Sequence, residues 1–99
     1  MLNTEQYRGR IPETTLETLA LYVQEGCQTG SFCEAVLSND LFGAFARADE
    51  GNRAAIGVIV EFVYNETPMH CHGSPEHYSQ WVAAGDAKRL DRNGGDDVE

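Results

Sequence analysis

Only one stretch of this chain reads as a β-strand. Val58-Ile59-Val60 and Val63 are β-branched, which suits a pleated surface, yet Ile56, Ile59, Val60 and Val63 also recur at helical spacing. No second strand-like run exists for it to pair with, and an isolated strand leaves its backbone amides and carbonyls unsatisfied. Arg53 to Asn65 is therefore expected to be a helix, ended at Thr67-Pro68 because the residue before a proline avoids the helical region. With that choice made, the expected fold class is all-α: a small single domain of four or five short helices.

The other helices announce themselves by spacing and punctuation. Pro12 suits a first helical turn, Leu16, Leu19, Ala20 and Val23 follow as one stripe, and Gly26 ends the helix. Ser31 with Glu34 three residues on has the form of a capping box for a second helix, with Phe32, Val36 and Leu37 inward. Asp40 is the expected N-cap of a third, Leu41 to about Ala48, whose buried face is Leu41, Ala44, Phe45 and Ala48, with a turn at Asp49 to Asn52. Ser74-Pro75-Glu76 should open a last helix carrying Tyr78, Trp81 and Val82. Residues 1–10 show no periodicity and read as a flexible arm, 11–84 as the helical domain, and 85–99, poor in apolar residues, as a flexible acidic tail.

At 99 residues with 41% apolar content, the chain has enough core material to fold without a covalent staple. The formal charge is −9, and residues 11–84 hold ten acidic side chains against only Arg47 and Arg53, a net −8. A field of that sign repels phosphate backbones and anionic lipid, so direct nucleic-acid or membrane binding is disfavoured and a basic protein partner is favoured. Cys27, Cys33 and Cys71 make an odd number, and MLNTEQYRGR has no apolar signal core. The longest apolar run, Ile56 to Tyr64, contains Gly57 and Glu61 and falls well short of the ~20 residues of a membrane helix. A cytoplasmic protein with reduced thiols is expected.

Three constellations are worth weighing as sites. The first is His70, Cys71 and His72 with His77, three imidazoles and a thiol of the types that bind zinc. Their spacing is tighter than the usual zinc pairs, and His70 and His72 fall on the opposite side of an extended segment from Cys71. Exposed loop histidines and a buried cysteine are the plainer reading. A Cys71 nucleophile would also need an orienting group and an oxyanion site that the sequence does not reveal. The second is the aromatic pair Tyr78 and Trp81, either core or an anchor for recognition. Ser31 and Ser74, at two expected helix starts, offer amide groups to an anion such as a nucleotide signal, in a pocket between the Gly26 to Gly30 turn and the His70 to Ser74 loop. Homo-oligomerisation would build such a pocket at an interface. The third is an acidic face of Glu13, Glu17, Asp49, Glu50 and Glu61. No phosphate-binding glycine motif is present, and a helix-turn-helix reading of Leu41 to Asn65 lacks the basic neighbours that DNA contact requires.

A wider pattern runs through the chain: Ile11-Pro12-Glu13, Tyr22-Val23, Gly26, Gly30, Phe32, Ala35-Val36-Leu37, Asn39-Asp40-Leu41, Arg47-Ala48-Asp49, Asn52, Tyr64-Asn65-Glu66, Pro68, Cys71, Gly73-Ser74-Pro75-Glu76 and Trp81. It resembles a family of small proteins of tailed phages and prophages to which no activity is assigned, over about residues 11 to 82. In that family the loop before the last helix usually has an aromatic after the cysteine and no histidine cluster, which weakens the zinc reading further. The resemblance implies a phage origin, and small acidic phage proteins often bind host machinery. The expected function is thus a non-enzymatic phage accessory protein in the host cytoplasm. It would bind, and inhibit, a host or host-defence protein with a basic surface through the acidic face, with no cofactor. The alternatives are sequestration of a small anionic ligand and a zinc-binding domain.

Overall fold

The computed structural model describes residues 2–97, with side chains through Asp91. It is all-α. Among the described residues six helices follow one another: α1 Glu13–Glu25, α2 Ser31–Leu37, α3 Leu41–Arg47, α4 Glu50–Ala54, α5 Ile56–Glu66 and α6 Pro75–Asp97, with 3-10 turns at Glu5–Tyr7 and Met69–Cys71. Among the described residues the only extended pairing is an isolated bridge between Arg8 and Ile11. The β-branched run lies in α5 as expected, with Ile59, Phe62 and Val63 buried. The helix satisfies its own backbone where a lone strand could not. Thr67 follows in extended conformation, its hydroxyl donating to the Val63 carbonyl at 2.5 Å.

The punctuation was largely legible. Gly26 ends α1 with φ 68°, Asp40 caps α3 by accepting from Gly43 N at 2.9 Å, and Ser74 caps α6 by accepting from His77 N at 3.1 Å. The capping box at Ser31 is not formed. Gly30 occupies the cap position and Ser31 is the first helical residue, with no side-chain cap. Asp49 does more than make a turn: its carboxylate accepts from Asn52 N at 2.8 Å and starts the extra helix α4.

The core gathers Tyr7, Leu16, Leu19, Tyr22, Leu37, Ile59, Phe62 and Cys71. The α1 stripe is rotated from the expected one: Thr15 and Tyr22 are buried, whereas Ala20 and Val23 are only half-buried. Polar groups drive that rotation. Thr15 Oγ1 donates to Asn52 Oδ1 at 2.6 Å, and Tyr22 Oη donates to the Cys71 carbonyl at 2.6 Å.

Both expected ends of the domain are corrected. The arm at 1–10 is docked: Tyr7 is 0% exposed and meets Phe62 edge to face at 5.0 Å, while Arg10 lies over the Tyr7 ring. A single aromatic anchor does what periodicity would otherwise announce. The expected tail from residue 85 is a continuation of α6. Gly85 is buried against Gly26, and Arg89 donates to the Glu25 carbonyl at 2.6 Å, so this second half of α6 docks through a backbone contact and a cation on the C-terminal end of α1 rather than through apolar bulk. Met1, Val98 and Glu99, the remainder of those two expected segments, lie outside the described residues.

Candidate binding groove

The turn between α2 and α3 sets the geometry of a groove lined mainly by apolar side chains. Asp40 N bonds to the Ala35 carbonyl at 2.8 Å and Asn39 adopts φ 66°, so α3 reverses tightly after α2. That turn fixes the rotation of α3, and the face turned inward is the small one, Ala44 and Ala48. Leu41 and Phe45, expected inside, stand in solvent with Phe42, which is 87% exposed. α5 buries Ile59, Phe62 and Val63 and leaves Val60 and Tyr64 out, the latter 78% exposed.

Between these two helices runs an open groove of about 280 Å³. Leu41 and Ala44 wall it on the α3 side and Ile56, Val60, Val63 and Tyr64 on the α5 side; Asn39, Asp40, His72 and Gly73 add polar atoms. Gly73 N donates to the Leu37 carbonyl at 2.8 Å, which fastens the 72–73 segment to α2. His77 Nδ1 donates to the His72 carbonyl at 2.7 Å. Burial first, and then the neighbouring His77, hold the His72 imidazole below the usual histidine range.

The structure assigns the sequence candidates different places. Tyr78 and Trp81 belong to a core knot: Tyr78 stacks on Tyr22 at 5.2 Å with planes 8° apart, and the Trp81 indole donates to the Tyr22 carbonyl at 2.8 Å. Tyr78 Oη also accepts from Thr29 N at 2.9 Å, so a backbone amide of the Gly26 to Gly30 turn is already satisfied by a side chain. Ser31 is exposed, and Ser74 is half-buried with its hydroxyl engaged in the α6 cap. His70 is exposed, His72 and His77 are half-buried, and Cys71 is fully buried, its thiol pushed up by burial. Among the described residues no three His, Cys, Asp or Glu side chains converge as metal ligands, so the fold does not gather His70, Cys71, His72 and His77 into a set.

Glu13, Glu17, Asp49, Glu50 and Glu61 are all exposed. Glu13 and Glu61 face arginines of the N-terminal segment, Arg8 at 2.7 Å and Arg10 at 3.7 Å. Asp49 is used as the α4 cap, while Glu17 and Glu50 stand on the outer faces of α1 and α4. Arg10 and Glu13 share an open cleft with Gly51, Ala54 and Val58, so part of the acidic surface is met by cations of the same chain.

Phe42, Val60 and Tyr64 were not singled out by sequence reasoning. The available signal was composition: from Leu41 to Ala48 every residue except Gly43 and Arg47 is apolar, more than one face of a short helix can bury. Comparison with protein-family models, curated proteins and solved structures finds no match to this chain.

Proposed function

We propose that this chain is a non-enzymatic binding protein that engages a protein partner through the α3–α5 groove, in the phage accessory setting implied by the family resemblance. One observation carries the reading. Leu41, Val60 and Tyr64 stand in solvent on the walls of a single groove, and Phe42 and Phe45 are exposed elsewhere on the helix that carries Leu41, although the chain has a closed core. Scattered apolar residues on a surface need no explanation, but a contiguous patch with aromatic members marks an interaction site. The net charge of −9 favours a partner with a basic surface and supplies the long-range attraction toward it.

The test is a pair of full-length variants used as baits on host lysate. Leu41→Ser with Tyr64→Ser should lose the partner that the wild-type chain captures. Neutralising Glu17 and Glu50 should keep it, with slower association at low salt. Capture of the same partner by both variants at wild-type strength would remove the groove from the mechanism.

A further inference from the structure

We propose that the outer face of α3 is a self-association surface on which two copies of the chain pair antiparallel about a two-fold axis, whatever the groove itself binds. α3 turns Ala44 inward, and Ala48 follows on the same side. At about 100° per residue the opposite side carries Phe42 and Ala46. Both are exposed. One flank gathers Asp40, Gly43 and Arg47, since a Cβ on Gly43 would meet the Asp40 carboxylate and the Arg47 guanidinium. The other carries Leu41 and Phe45, with Arg53 4.7 Å over the Phe45 ring. Leu41, Phe42, Phe45 and Ala46 thus all stand in solvent on a helix of about two turns, more apolar surface than a solvated helix presents.

Charge identifies the occupant. Residues 11–84 carry a net −8 and hold only two cations, Arg47 and Arg53, and both border this face. Arg47 donates to the Gly43 carbonyl and Arg53 stacks on Phe45; neither forms a salt bridge among the described residues. Residues 40–53 set Asp40, Asp49 and Glu50 against those two arginines, a net −1, so −7 of the −8 lies elsewhere in 11–84. Two copies can therefore approach here with little of the repulsion that the acidic faces would give, while the exposed guanidinium groups repel a basic partner.

The order of residues along α3 is complementary to its own reverse. A two-fold axis across the helix near Gly43 and Ala44 brings like flanks together with their directions opposed. Asp40 then meets Arg47 of the second copy, Phe42 meets Ala46, and Leu41 meets Phe45: acid on base, large on small, apolar on apolar. A parallel pair would set Phe42 on Phe42 and Arg47 on Arg47. Area sets the strength of the contact. At about 150–250 Å² per aromatic side chain, the exposed parts of Phe42 and Phe45 come to on the order of 250 Å², about a third of what a standard interface buries on one partner. The dimer is therefore weak and reversible. Leu41 belongs both to this face and to the groove wall, so the second copy would sit at the rim of the groove.

Sedimentation equilibrium of the full-length chain at up to about 1 mM, in low and in high salt, tests this. A monomer–dimer equilibrium is expected, tighter in high salt because two copies at −9 repel less when screened. Phe42→Ala should weaken it about tenfold or more, as loss of an aromatic anchor does. Ala46→Phe should weaken it too, although it adds apolar surface, because large then meets large. Phe42→Ala together with Ala46→Phe should restore association, since the large-on-small match is re-formed in reverse. Amide NMR of the wild-type chain on dilution gives a second reading that needs no variant, with shifts expected at residues 40–47 and 53. A chain that stays monomeric up to about 1 mM in both salts, a dimer that loosens as salt rises, one unaffected by Phe42→Ala or tightened by Ala46→Phe, or dilution shifts elsewhere would overturn the proposal. None of these outcomes bears on host-protein capture by Leu41→Ser with Tyr64→Ser, which tests the groove separately.

Discussion

Gly26 and Gly85 touch backbone to backbone. A Cβ built on Gly85 would lie 2.6 Å from the Gly26 Cα and 2.5 Å from the Glu25 carbonyl oxygen, so neither neighbour can yield without moving a helix. This contact brings α6 against the end of α1, and it reverses the usual sign of a glycine-to-alanine change in a helix. Gly85→Ala should lower the Tm by about 10 °C, from an overpacking cost of about 2 kcal/mol. Gly57→Ala in α5, where a Cβ meets open space, should leave Tm unchanged or raise it by a few degrees, through about 0.5 kcal/mol of helix propensity. Two thermal melts decide it; equal shifts would mean that α6 does not pack on Gly26.

Two buried tyrosines make opposite use of their hydroxyls. Tyr22 Oη reaches the Cys71 carbonyl, 49 residues away, whereas the buried Tyr7 Oη has no partner among the described residues. Tyr22→Phe should cost about 1–3 kcal/mol by leaving a buried carbonyl short of a donor. Tyr7→Phe should be neutral or stabilising by up to about 1 kcal/mol, because the edge-to-face contact with Phe62 survives and an unpaired hydroxyl goes. Urea unfolding of both variants checks the contrast, and a large loss in Tyr7→Phe would contradict it.

Acid should weaken the domain through His72. Its folded pKa lies below the ordinary value, chiefly through burial, so the unfolded chain takes up the proton more readily. The contribution is complete above about pH 6.5 and is lost as the pH falls through that value toward the folded pKa. The difference in Tm between wild type and His72→Gln should therefore change between about pH 7 and pH 5. Parallel profiles of the two proteins across that range would show that His72 does not titrate with folding.

The three thiols should separate by reactivity. Burial raises Cys33 to about 11 and also raises Cys71, whereas Cys27 is half-buried with the Arg89 guanidinium 3.5 Å from its sulfur. Iodoacetamide on the folded protein at about pH 8 should label Cys27 and spare the other two, and denaturant should release all three. Because the buried thiols are favoured neutral, their contribution to stability is present at neutral pH and declines as the pH rises above about 9. Peptide mapping of the labelled protein showing early modification of Cys33 or Cys71 would count against their burial.

The sequence by itself determined the helical class and most of its punctuation. An unpaired β-branched run, Gly26, Asp40, Thr67-Pro68 and Ser74-Pro75-Glu76 act through neighbours within a few residues, and such local rules do not need the fold. What only the tertiary structure decided is which face each helix turns inward and what docks at the ends. Leu41, Ala44, Phe45 and Ala48 share a helical spacing, and the tight Asn39-Asp40 turn placed the alanines inside and left Leu41 and Phe45 in solvent. Tyr7 and Arg89 reach partners 55 and 64 residues away, Phe62 and the Glu25 carbonyl, so no local pattern marks the segments they anchor. Helical periodicity specifies that a helix has an apolar side; the energy that selects between neighbouring sides comes from long-range packing and hydrogen bonds, which form only when the chain has closed on itself.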